Sequence, residues 1–153
     1  MNDAYTTSNY VAKVQEAFAS VVARGGLQVS DTEYAAAHFG NFVVEFSGAS
    51  VRLRVVRDRM QFLLDFAPPG HDEWIDDETI WHLIGADHVN EQRAELDLRS
   101  LEHVAKATSA HFPEICALFS VREAPRTLQR ANEHRQRRAK ALFGYDVPLA
   151  GGG

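Results

Sequence analysis

The 153-residue chain carries a formal net charge of −5 and is 45% hydrophobic and 24% charged, ordinary values for a globular protein of one domain. Its one cysteine, Cys116, excludes an internal disulfide and a cysteine-rich zinc site, and its apolar surroundings predict a buried packing residue. No stretch reaches the roughly 18 uninterrupted apolar residues of a membrane span. The first residues lack a basic region followed by an apolar run, so no secretory signal is expected and the expected location is cytoplasmic.

Residues 1–7 read as a flexible tail and 8–144 as a single domain. From Ser8 to Arg24 the spacing of Val11, Val14, Phe18 and Val21 or Val22 predicts a helix, with Ser8 as its N-cap and Gly25-Gly26 as its stop. Leu27-Gln28-Val29 reads as a connector or a short edge strand. Ser30 or Asp31 then caps one or two helical turns through Ala37.

Residues 41–67 are the most regular part of the chain. Phe42, Val44 and Phe46 alternate with Val43 and Glu45. Val51, Leu53 and Val55 alternate with Arg52, Arg54 and Val56, and Met60, Phe62, Leu64 and Phe66 with Gln61, Leu63 and Asp65. Three antiparallel strands are predicted, with two-residue turns at Gly48-Ala49 and Asp58-Arg59; at the second of these a four-residue loop would preserve the same parity. That register pairs Phe46 with Val51 and Val55 with Phe62, and sets Arg52 between Glu45 and Asp65. The fold class that follows is α+β: a three-stranded antiparallel meander packed against several helices.

Pro68-Pro69-Gly70 ends the third strand. Asp76 or Asp77 caps a short helix running to Ile84, and Gly85 closes it. Residues 86–95 read as a loop, alone or with a turn of helix. Asp97 caps a second long helix with Leu98, Leu101, Val104 and Ala105 on one stripe. The stripe weakens at Thr108, and Pro113 bends or restarts the helix. Pro125 opens the last helix, whose inward residues are Leu128, Ala131 or Asn132, Ala139, Leu142 and Phe143. Gly144 stops it, and 145–153 read as a flexible tail.

The charge is unevenly distributed. Residues 65–97 hold ten acidic side chains against one arginine, whereas 122–140 hold seven basic against two acidic. No phosphate-binding glycine loop, zinc-protease helix, serine elbow or Cys-x-x-Cys pair is present. The histidines make no ligand pair at helical spacing, so no metal and no cofactor are expected. Chemistry that does not need a catalytic set is therefore favoured. Asp72, Glu73, Trp74, Asp76, Asp77 and Trp81 form the candidate partner-binding segment, with Trp74 as the anchoring ring. Arg130, Arg135, Arg137 and Arg138 form the alternative, a nucleic-acid-binding helix or regulatory surface. The acidic balance of the whole chain makes nucleic acid the less favoured partner.

The succession FGNFVVEFSG, VRLRVVRDR and WIDDETIWHLIG, within residues 39–85, resembles small bacterial proteins similar to the immunity proteins of polymorphic toxin systems. The resemblance implies a non-enzymatic protein that neutralises a cognate toxin through an acidic surface, the toxin being basic. It supplies no catalytic residue.

Overall fold

The computed structural model describes residues 4–96 and 100–144. The tail expected at 145–153, the first three residues of the tail expected at 1–7, and the cap expected at Asp97 with Leu98 lie outside the described residues.

The fold is α+β; the described residues form six helices and a five-stranded antiparallel sheet in the order β1-β2-β3-β4-β5. The expected three-stranded meander is its centre: β2 (Asn41–Ser47), β3 (Arg52–Asp58) and β4 (Gln61–Ala67). Two further strands flank it, β1 (Gln28–Ala35) and the two-residue β5 (Ile75–Asp76). The helical turns expected after Ser30 are thus replaced by an eight-residue edge strand. Val29 and Tyr34 pack on the core from its inner face, but Thr32 between them, opposite Val44, is exposed, so the strand shows no apolar alternation.

Both hairpin registers shift by two from the expected pairing. Phe46 pairs with Leu53 and Val55 with Leu64. The first connection is a four-residue loop, 48–51, from which Val51 still enters the core. Gly48 is required there because a Cβ would lie 2.6 Å from the Leu27 side chain and 2.9 Å from the Gly25 carbonyl oxygen. The second connection turns at Arg59-Met60, both left-handed at φ 50° and 68°, a type I′ geometry without its usual Asn-Gly. A shift of two keeps every side chain on its face. Phe42, Val44, Phe46, Leu53, Val55, Phe62, Leu64 and Phe66 are all buried on one side. The shift does change the polar partners: Arg54, not Arg52, stands between Glu45 and Asp65.

Helices cover the apolar face. The expected first helix is two, α1 (Tyr10–Ala17) and α2 (Ala19–Gly25), broken at Phe18; Asn9, not Ser8, precedes α1, and its side chain makes no capping bond to the helix. Gly26 stops α2 in the left-handed conformation. Tyr5, expected in the tail, packs on the core, its ring 5.6 Å from Phe42 and 5.5 Å from Phe62. Beneath it the Arg57 side chain is buried on the inner face, 4.9 Å from the Tyr5 ring, and donates to the Gly40 carbonyl.

Helix α3 (Asp77–Leu83) is capped by Asp76 as expected. The expected loop at 86–95 is helix α4 (Asp87–Leu96). Helix α5 (Leu101–Leu118) starts at Ser100, whose hydroxyl accepts from the His103 N–H, and continues without restart through Pro113. Thr108 does not weaken its stripe: the residue is fully buried, its hydroxyl donated to the Val104 carbonyl at 2.7 Å. In α6 (Ala124–Phe143) Ala131 is buried and Leu128 packs on the core, but Leu142 and Phe143 are exposed. The 20-residue α6 docks on the seven-residue α3 and runs past it.

Candidate functional site

The two charged segments that sequence reading set up as alternatives meet in the fold. Asp76 ends β5 and caps α3, accepting from the Thr79 N–H at 3.2 Å and the Thr79 hydroxyl at 2.8 Å. Its carboxylate also faces α6, with Arg135 Nε at 3.7 Å and Arg138 Nη1 at 3.6 Å. Arg138 reaches Glu78 at 2.9 Å. Arg135 donates to the Trp74 carbonyl at 2.8 Å, and Arg130 to the Leu83 carbonyl at 3.3 Å. These bonds orient three of the four candidate nucleic-acid-binding arginines toward their own chain, and Arg137 is exposed.

The acidic segment divides in the same way. Asp77 is buried and accepts from the Leu64 N–H at 3.4 Å, so it ties α3 to the sheet. Trp81 is buried against Phe66, ring centroids 6.3 Å apart. Neither is a surface residue, which corrects the expectation that both face a partner. Both lie on the inward side of a short amphipathic helix. Asp72 and Glu73 are exposed, the Asp72 side chain by 87%. Trp74 is partly exposed and lies against the sheet's outer face, with the Arg52 and Arg54 guanidinium carbons 4.7 and 4.3 Å from its ring centre. Stacking on two cations holds that ring in place.

Below Trp74 a charged row crosses all five strands: Asp31, Glu45, Arg54, Asp65 and Asp76 in successive register. Arg54 bonds Asp65 through Nε and Nη2 at 3.1 and 3.0 Å. Arg52 pairs diagonally with Glu45 and bonds Asp72 at 2.6 Å. The Asp72 hydrogen bond is the main influence holding Arg52 in its charged form. Burial pushes the Asp65 carboxyl above the usual range, and the Arg54 bonds only partly offset it. The sequence pattern placed Glu45 and Asp65 on this face but not Asp31, which it read as a candidate helix cap rather than as part of a strand.

Two grooves flank the 68–75 loop. One, about 360 Å³, lies between Asp72, Glu73 and Trp74 and the α6 residues Leu128, Ala131 and Arg135. The other, about 440 Å³, is lined by His71, Glu73, Pro69, Phe119 and Cys116. Cys116 is only half-buried, and desolvation pushes its thiol upward, away from the reactive thiolate. Among the described residues no group of three His, Cys, Asp or Glu side chains is placed to hold a metal ion, and no helix is long and apolar enough to cross a membrane. Comparison with protein-family models, with curated proteins and with solved structures found no match. The arrangement can attract and orient a cationic surface through Asp72, Glu73 and the rim of Trp74.

Proposed function

We propose that this chain is a non-enzymatic binding protein of the cytoplasm that neutralises a basic protein partner, as an immunity protein neutralises its cognate toxin. The observation that supports it is the direction in which the charges are spent. Arg130 and Arg135 donate to carbonyls of their own chain and Arg138 is ion-paired with Glu78, whereas Glu73 stands in solvent beside a partly exposed tryptophan, and Asp72, although bonded to Arg52, keeps 87% of its side chain exposed. Fixed anions of this kind steer a basic partner into encounter, and a Trp ring held by cations is a pre-organised contact. The alternative, nucleic-acid binding through α6, would require those internal bonds to be given up.

The test is co-expression with the open reading frames neighbouring the gene. One product, basic and toxic alone, is expected to be tolerated in the presence of this chain, and Asp72→Lys with Glu73→Lys is expected to slow their association while leaving the fold intact. The proposal fails if no neighbouring product is neutralised, or if the purified chain binds duplex DNA or RNA with salt-sensitive, submicromolar affinity.

A further inference from the structure

We infer that the free edge of β1 receives an extended, basic segment of the partner as a sixth strand of the sheet. The inference rests on the binding reading above and specifies how the partner docks. The sheet has two edges. That of β5 is two residues long, whereas that of β1 is eight.

Natural sheets guard a long edge with Lys, Pro or a covering element. β1 contains neither Lys nor Pro, and no Lys or Arg occurs from Gly25 to Val51. Asp31, Thr32 and Glu33 are all exposed. A bulge between Val29 and Asp31 interrupts the ladder, which leaves Asp31–Ala35 as a regular five-residue run. The Thr32 N–H is held by the Asp31 carboxylate at 2.9 Å. A side chain therefore occupies a main-chain donor that a neighbouring strand would use. Alternate residues of an antiparallel strand present their N–H and C=O groups to the same side, so Tyr34 faces outward with Thr32.

Charge decides the occupant. Asp31 and Glu33 share the outer face two residues apart, and among the described residues neither forms an ion pair. A second copy of this chain paired edge to edge would set these acids against each other, and like charges directly across a ladder are destabilising. A segment with Lys or Arg at every second position would instead place a cation opposite each acid. Its main chain would take the Thr32 and Tyr34 groups, the mode by which extended peptides extend an open sheet.

The experiment titrates the full chain, ¹⁵N-labelled, with three synthetic peptides: acetyl-Lys-Val-Lys-Val-Lys-amide, its glutamate counterpart, and the lysine peptide N-methylated at both valines. The lysine peptide is expected to shift the amides of Asp31–Ala35 and to slow exchange of the Thr32 amide. The other two peptides are expected to do neither. Asp31→Asn with Glu33→Gln should weaken the lysine peptide by about fivefold or more. Equal binding of the N-methylated peptide would overturn strand addition. Shifts at Asp72, Glu73 and Trp74 with none on β1 would overturn the edge as the docking place while leaving the binding reading intact. No shift with any peptide would overturn the edge inference, and the co-expression assay then judges the binding reading alone.

Discussion

The Arg24 guanidinium binds the carbonyl of Ser109 at 3.0 Å, four residues before Pro113. Pro113 has no N–H to return to that carbonyl, so the helix would carry an orphaned acceptor at this turn. Arg24 supplies the donor from α2 and lies 5.2 Å from the ring of Phe112. This is why α5 runs unbroken where the proline alone predicts an interruption. Arg24→Ala should cost about 0.5–1.5 kcal/mol in urea unfolding, the usual net worth of such a bond. In a Pro113→Ala background, where the backbone N–H is restored, the same substitution should cost measurably less. Equal costs in both backgrounds would show that Arg24 does not serve the proline.

Leu53 pairs with Phe46 and Phe66 in the middle of the sheet and is 1% exposed. Leu53→Ala should lower stability by about 2–5 kcal/mol, as central core truncations do. Denaturant titration reads this directly. A loss under 1 kcal/mol would contradict the packing described.

The two hairpin loops predict opposite responses to glycine. Met60 is held left-handed at φ 68° and is exposed, so Met60→Gly removes strain without removing packing. A gain of about 0.5–1 kcal/mol is expected, the left-handed cost less the added chain entropy of glycine. Gly48→Ala instead drives a methyl into Leu27 and the Gly25 carbonyl, and a loss of about 1–3 kcal/mol is expected from overpacking. Thermal melting of both variants separates the two effects.

The α3–α6 contact should respond to pH. His82 of α3 and His134 of α6 stack with ring centroids 4.1 Å apart. Desolvation lowers the His134 pKa most, and His82, Arg138 and Arg137 lower it further against an opposing pull from Glu78. Asp87 faces the other ring through His82 Nδ1 at 3.1 Å. A group depressed in the folded state binds its proton more readily when unfolded. Its contribution to stability is therefore full above the ordinary histidine value of about 6.5 and is lost as pH falls through the folded value. Stability measured from pH 7.5 down to 5 should fall less steeply in His134→Phe, which keeps a ring and removes the titration. Identical slopes would rule out this pair as the source.

Alternation in residues 42–46, 53–55 and 62–66 was legible in the sequence because one face of each strand is wholly buried, and a period of two survives a register error of two. Asp76 as a cap, Gly26 and Gly144 as stops and Pro125 in a first turn were legible for a similar reason, since each acts on its own few bonds. β1 was not, because only Val29 and Tyr34 of this edge strand pack on the core and exposed Thr32 stands between them, which leaves no apolar code with a period of two. Arg57 likewise gave no sign of burial, as its place depends on Tyr5 folding back over the core.

At the candidate site the order of residues alone shows one acidic and one basic segment. The packing of the folded chain sets Arg135 against Trp74 and Asp76, a contact spanning 61 residues of chain from Arg135 to Trp74. It also decided that Asp77 and Trp81 point inward while Asp72 and Glu73 point out. Charge type is a property of a residue, but whether a charge is neutralised depends on what packs beside it. That is set by how α6 docks on α3, through buried contacts that no local pattern encodes.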